Sequence, residues 1–273
     1  MDKRRMCPHC RAFITTDDRV CPYCNNEVGK RAVESRAPSD ALGGLIPQAR
    51  FTTIVLMLIN TGFYVATLLY TSRTTGQSGF DPSARTLFDF GAKEPGAIMA
   101  GQWWRLITAG FLHGSILHIL MNMWVLFDLG TQTEEAFGTS RFLTIYLAST
   151  VTGYIASFYG SPSLSIGASA GIFGLIGAMI AFGIREGTAY GSAMKSFYIR
   201  WAVYGLIMGF ILSFVDNYAH IGGLAGGFVV GYIAAPSRRN AAVERMWQVV
   251  AGIVLAITGY AFFDMFTFLM RAQ

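Results

Sequence analysis

The chain has 273 residues, 53% of them hydrophobic and only 14% charged, with a formal net charge of +5. An ordinary soluble domain carries about 25% charged residues, so a soluble globular protein is excluded, and so modest a charge gives no reason to expect a nucleic-acid partner. The apolar residues gather in blocks long enough to cross a bilayer, which takes about 20 residues of helix, while polar residues concentrate in the first 50 positions and in short connectors.

Residues 1–30 hold all four cysteines, Cys7 and Cys10 in CPHC and Cys21 and Cys24 in CPYC. Two C-x-x-C units ten residues apart fit a tetrahedral metal better than a disulfide framework. The pattern resembles a zinc ribbon, two knuckles joined by a short polar hairpin, so structural zinc is the expected ligand. Iron, or a redox pair of C-x-x-C units, is the alternative. His9 would be a spare ligand beside four thiolates. MDKRRMCPHC has no apolar core of a signal peptide, so this head is expected in a reducing cytosol, with a cytosolic protein as its possible partner. Residues 31–50, with Pro and Gly among polar residues, read as a linker.

The first strong span runs from Phe51 to Tyr70, followed by a long connector over about residues 71–114. Further spans are expected to begin near Ile116, Phe142, Gly167, Phe197, Tyr218 and Met246, the second being short and ending near Gly130. With a cytosolic head, the inner connectors carry Arg141, then Arg185, Lys195 and Arg200, then Arg238, Arg239 and Arg245. The short outer connectors YGSPSLSI and SFVDN carry no Lys or Arg. The positive-inside rule therefore predicts an N-terminus inside and a C-terminus outside.

Polar side chains inside membrane helices mark function or pairing. Outside the head the histidines are His113, His118 and His220, and Asn122 follows His118 by four residues, on the same helix face. A lone membrane histidine is as often an interhelical hydrogen-bonding residue. Spans two, four and six, however, all run from outside to inside. His118 with Asn122, Ser169 and His220 lie near their starts, so four polar groups scattered over a hundred residues reach one depth. Ser169 sits among small residues in GASAGIFG at a helix start. There, free backbone N–H groups suit a developing oxyanion, and His220 is available as the base that serine needs. Gly223 and Gly227 form a G-x-x-x-G face that draws helices together, although such a face by itself more often means packing. The G-x-S-x-G pattern also matches the nucleophile elbow of soluble hydrolases, but the strand that elbow requires is absent from this context.

Taken in order, W-R (104–105), HGSILHILMN (113–122), EEAFG (134–138), GASAGIFG (167–174) and AHIGGLAGG (219–227) resemble the rhomboid family over residues 51–235. The resemblance implies an all-α polytopic membrane protein: a six-helix rhomboid core at 51–235, then an inner loop and seventh transmembrane helix at 236–273. It implies intramembrane serine proteolysis by a dyad of Ser169 and His220, with no cofactor in the chemistry. The oxyanion hole would be His118, Asn122 and the Ser169 backbone N–H. Trp104, Arg105, Glu134, Gly138, Gly167, Gly223 and Gly227 would be structural. Ala170-Gly171 stands where many members read Gly-Ala, a swap of two small residues. Family members cut single-span membrane proteins near the outer end of their helix, which implies lateral entry from the bilayer, with span five, carrying Gly205 and Gly209, a candidate mobile wall. A bacterial inner or plasma membrane is the expected location. The competing classes are a non-catalytic rhomboid-like protein that binds membrane helices, whose relatives typically lack the serine or histidine, and a transporter, which would place polar residues at mid-depth.

Overall fold

The computed structural model describes residues 4–7, 9–15, 18–28, 50–76, 79–212, 214–235 and 240–271. All but Arg50 of the linker predicted at 31–50 lies outside the described residues, as do Arg238 and Arg239 of the last basic connector. The chain divides into two compact units, Met1–Gln48 and Ala49–Gln273.

In the first unit, strands β1 (Arg4–Met6) and β2 (Phe13–Thr15) pair antiparallel, with Arg4 opposite Thr15 and Met6 opposite Phe13. They enclose the first knuckle, whereas the sequence predicted a hairpin between the two. The reason is that each knuckle closes on itself by the same turn. Arg11 N–H donates to the Cys7 carbonyl and Asn25 N–H to that of Cys21, each at 2.9 Å, and Arg11 and Asn25 are the non-glycine residues with positive φ among the described residues. Among the described residues the buried apolar cluster here is Cys7, Ile14, Cys21 and Val28, with Cys24 partly buried against it, too small to hold a fold without a staple.

The second unit is helical. It contains α1 (Phe51–Thr75), α2 (Ala84–Asp89), α3 (Pro95–Met99), α4 (Arg105–Thr108) with a 3-10 turn at Ala109–Phe111, α5 (Ile116–Phe137), α6 (Thr139–Gly160), α7 (Ser169–Glu186), α8 (Ala189–Ile211), α9 (Asn217–Ala234) and α10 (Ala241–Arg271). The seven long helices follow the order of the predicted spans. By length and composition α1, α6, α7 and α10 suffice to cross a membrane, and a fifth crossing results if Arg105–Phe111 and α5, bent by 92°, count as one. Helices α8 and α9 fall short on composition. The first carries Lys195 and Arg200, the second His220 and five glycines.

Several boundaries differ from the prediction: α1 runs five residues past Tyr70, α6 starts three residues before Phe142 and α10 five before Met246, and two differ by more. α5 continues to Phe137 rather than ending near Gly130. Its last two turns are polar, yet Thr131 and Thr133 return their hydroxyls to the Phe127 and Leu129 carbonyls at 2.6 and 2.8 Å, and Glu134 is held by α1. Only Gly138, at φ 79° and ψ 160°, separates α5 from α6, a conformation that glycine adopts without the clash a Cβ would bring. α8 starts at Ala189, not near Phe197, because Thr188 caps it by accepting from Gly191 N–H at 3.1 Å.

The centre of the unit is the packing of α6, α7 and α9. Gly223, Gly227 and Gly231 of α9 meet Ala170, Gly174 and Ala178 of α7 in a constant register, so the two helices run parallel. A Cβ on Gly223 or Gly227 would fall on the α7 carbonyl oxygens of Ala170 or Gly174. α6 crosses both in the opposite direction: a Cβ on its Gly153 would lie 2.7 Å from the Ala219 carbonyl of α9 and 2.8 Å from Ala170 Cβ of α7. Close backbone approach of this kind replaces the hydrophobic drive that helices lack in lipid. α10 closes the other side of α6, where Arg141 makes a two-pronged ion pair with Glu244 at 2.7 and 2.9 Å.

Candidate active site

The site lies at the end of the bundle where α5, α7 and α9 begin. Ser169 is the first residue of α7, so its N–H lies outside the helix's own hydrogen-bond ladder. His220 is in the first turn of α9, which Asp216 caps by accepting from Ala219 N–H at 3.1 Å. With Ala170 opposite Gly223, Ser169 precedes that level by one residue and His220 by three. At about 1.5 Å per residue their Cα atoms differ in depth by roughly 3 Å. The His220 ring stacks on Phe173, one turn below Ser169, with centroids 4.1 Å apart and planes within 12°. Among the described residues His220 Nδ1 has no hydrogen-bond partner, and Asp216 also accepts from the Ser157 hydroxyl.

The other side of the site is α5. Ser115 caps it by accepting from His118 N–H at 3.2 Å. A Cβ placed on Gly167 would sit 2.8 Å from His118 Nε2 and 3.5 Å from Ser169 Oγ. Those two atoms therefore flank one spot above the Gly167 backbone, which glycine keeps open. Its φ of 128° would in any case strain another residue. Asn122 is buried one turn further along α5 and donates to the His118 carbonyl at 2.9 Å, which leaves the second N–H of its amide. His113, fully buried, packs edge-on against His118 with centroids 5.0 Å apart. The structure thus brings Ser169, His118 and Gly167 together, with His220 within about 3 Å of the depth of Ser169 across the α7–α9 seam and Asn122 one turn along α5 from His118.

The remaining predicted positions lie around this centre. Arg105 is fully buried and donates to the Phe88 and Ala92 carbonyls at 2.7 and 2.9 Å and to Gln102 Oε1 at 2.7 Å. Its guanidinium lies over the rings of Phe88 and Trp104 at 4.1 and 4.7 Å. It thereby shapes the connector before α5. At the far end of α5, Glu134 accepts from Thr52 N–H, Thr53 N–H and the Thr53 hydroxyl at 3.2, 3.0 and 2.9 Å, which satisfies the start of α1. Sequence reasoning missed Phe173, Asp216 and Tyr154, whose hydroxyl donates to the Gly167 carbonyl at 2.9 Å. A phenylalanine and a tyrosine within apolar helices carry no distinguishing sequence signal, whereas Asp216 was visible as the one acid before A-H.

In the cysteine head, the four sulfurs lie within 4.8 Å of one another, with Cys7 and Cys24 at 3.8 Å and Cys10 and Cys21 at 3.6 Å. Tetrahedral zinc–thiolate bonds of about 2.3 Å imply sulfur separations of about 3.8 Å, so the arrangement fits a metal. None of the four cysteines is joined in a disulfide. The Cys10 backbone N–H holds Cys7 down to about 6. Cys10, despite a hydrogen bond from the Ala12 backbone, is pushed up to about 12 by desolvation and its sulfur neighbours. Sulfurs this close become four thiolates only with a cation between them.

Comparison with known proteins gives one consistent picture. A family model described as Rhomboid domain matches residues 100–237. Rhomboid protease GluP of Bacillus subtilis is 38% identical over 188 residues, which is 69% of this chain and 37% of that protein. RHOMBOID-like protein 7 of Arabidopsis thaliana is 38% identical over 155 residues, 56% of this chain and 50% of the relative. Rhomboid-like protease 1 of Toxoplasma gondii is 28% identical over 275 residues, covering 92% of each. The chain thus spans half or less of the first two relatives' own lengths.

Proposed function

The chain belongs to the rhomboid family as an integral multi-pass membrane protein, and on that premise we propose that it is a serine endopeptidase that cleaves single-span membrane proteins in or near the outer end of their transmembrane helix. Ser169 is the nucleophile and His220 the base. The observation that carries this reading is the stacking of His220 on Phe173, one turn below Ser169 on the helix that Ser169 begins. With Asp216 engaged as a helix cap, the pair works as a dyad without a carboxylate on Nδ1.

In this reading the Ser169 hydroxyl adds to the scissile carbonyl carbon while its proton passes to His220. The oxyanion accepts from Ser169 N–H, from the second amide N–H of Asn122 and from His118 Nε2, donors fixed before the charge develops. The C–N bond then breaks and His220 returns the proton to the leaving amine. Water adds to the acyl carbon with His220 again taking a proton, and the Ser169–acyl bond then breaks as His220 returns that proton to Ser169 Oγ, which releases the acid product and restores the pair. The half-exposed Ser169 and His118 give substrate and water access, while buried His220 and Asn122 keep their orientation. Family relatives without activity make a non-catalytic helix-binding protein the alternative, which retention of both Ser169 and His220 disfavours.

Cys7, Cys10, Cys21 and Cys24 hold structural zinc in a cytosolic module at 1–30, which a protein partner reads. The core at 51–235 and the last helix follow, with the C-terminus outside. The direct test is labelling by a fluorophosphonate probe. Wild type is expected to label and His220→Ala to lose labelling at least about a hundredfold; equal labelling of both would remove His220 from the role of base.

A further inference from the structure

Lys93 lies in the connector between α2 and α3, where a lysine normally points to water, yet it is fully buried. Its ammonium donates to the carbonyls of Ser161 and Ser163 at 2.7 and 2.8 Å. Its own backbone forms an antiparallel bridge with Ser165, N–H to carbonyl at 2.9 Å in one direction and 3.0 Å in the other. Gly167 N–H then donates to the Ala109 carbonyl at 2.9 Å, and the Tyr154 hydroxyl donates to the Gly167 carbonyl at 2.9 Å. Every second residue from Ser161 to Gly167 is therefore tied down, and at the first three it is Lys93 that ties the loop to the connector; the other bonds of Ser161 and Ser163 are local, to the Ser157 carbonyl and the Ser161 hydroxyl. The segment ends at Ser169, two residues beyond Gly167.

The anchor itself is rigid. Arg105 grips the Ala92 carbonyl, the residue before Lys93, at 2.9 Å, and the Thr108 hydroxyl grips the Gly91 carbonyl at 2.8 Å. Glu94, the residue after it, caps α3 by accepting from Gly96 and Ala97 N–H at 3.0 and 2.6 Å. Burial lowers the affinity of Lys93 for its proton, and the nearby carboxylates of Asp216 and Glu94 act in the opposite direction. The segment it holds follows α6, whose C-terminal end favours a cation. The two carbonyls at that end, with Pro162 between them, accept charge-assisted hydrogen bonds from the ammonium that a neutral side chain would not supply.

We propose that Lys93 is a positioning residue for the reaction: it straps the loop at 161–167 to the connector before α4 and thereby sets where the Gly167 and Ser169 backbone stands relative to His118. The proposal rests on the reading of Ser169 as nucleophile. Lys93 touches no reacting atom; it acts through the loop. A displacement of the Ser169 N–H by about 1 Å would misalign the oxyanion donors and cost up to about a hundredfold in rate.

The test uses the full-length protein reconstituted in liposomes, comparing wild type, Lys93→Met and Ser169→Ala. Fluorophosphonate labelling rate, kcat and KM on a single-span reporter, and thermal unfolding are measured on each. Lys93→Met is expected to label and turn over about 10- to 100-fold more slowly, with KM within about twofold and an unfolding transition still cooperative. Wild-type labelling by folded Lys93→Met overturns the proposal, as does a loss confined to KM. If Lys93→Met does not fold, hydrogen exchange on wild type decides. The Lys93 and Ser165 amides must exchange as slowly as those within α7, and exchange at the rate of exposed amides overturns it. Labelling of Ser169→Ala would instead defeat the nucleophile reading itself, so the two failures are distinct.

Discussion

Along α7 and α9, side chains have been reduced to nothing: Gly223, Gly227 and Gly231 bring one backbone against the other, and His220 arrives level with Ser169 as a consequence. Along α8, by contrast, only Gly191, Tyr198, Ala202 and Gly209 are buried, and Trp201, Tyr204, Ile207, Phe210 and Ile211 face outward. Both helices flank α7, and both are rich in glycine. The difference lies in what the glycines meet. On α9, Gly223 and Gly227 meet α7 backbone beside the site, which cannot move aside; on α8, Gly191 meets backbone at the far end, that of Gly183, while Gly205 and Gly209 meet the Phe173 ring and the Asn217 side chain. A seam of backbone against backbone fixes the separation of Ser169 and His220, whereas the part of α8 around Gly205 and Gly209 rests on side chains, the packing that a mobile wall at span five would need.

The largest effect should come from filling the seam. Gly223→Val would drive branched carbons into the Ala170 carbonyl, and overpacking costs about 1–3 kcal/mol or more. The variant should unfold at distinctly lower temperature and lose reporter cleavage; near-normal values of both would mean that the seam is not the rigid element. A smaller effect is expected from Phe173→Leu, which removes the ring under His220 while leaving the seam intact. An aromatic pair contributes about 0.5–1.5 kcal/mol, so kcat should fall about three- to tenfold with little change in unfolding temperature. The smallest belongs to α8. Phe210→Ala, at 76% exposure, should change stability by less than about 0.5 kcal/mol, and a large loss in a thermal scan would show that α8 is packed as firmly as α9.

Much of the bundle could be read in advance because membrane helices announce themselves by hydropathy, and the G-x-x-x-G spacing of Gly223 and Gly227 pointed to a packing face. Ser169, His220, His118 and Asn122 stood out because polar groups in apolar spans have few innocent uses. What escaped was anything whose meaning depends on a distant partner. The polar end of α5 looked like a connector until Glu134 was seen to satisfy the first N–H groups of α1. Lys93 carried no signal, because its two acceptors are main-chain carbonyls 68 and 70 residues away, and a carbonyl has no sequence signature. Phe173 was one aromatic among 21 phenylalanines, distinguished only by the histidine stacked on it.

The central claim is that Ser169, level with His220 across the seam, is the nucleophile of a membrane-embedded protease. It is tested most directly by incubating purified wild type and Ser169→Ala, both reconstituted in liposomes, with a single-span reporter and following the cleavage product. Wild type should cut the reporter within or near the end of its membrane helix, and Ser169→Ala should yield no product above background. Equal cleavage by the two proteins would contradict the account.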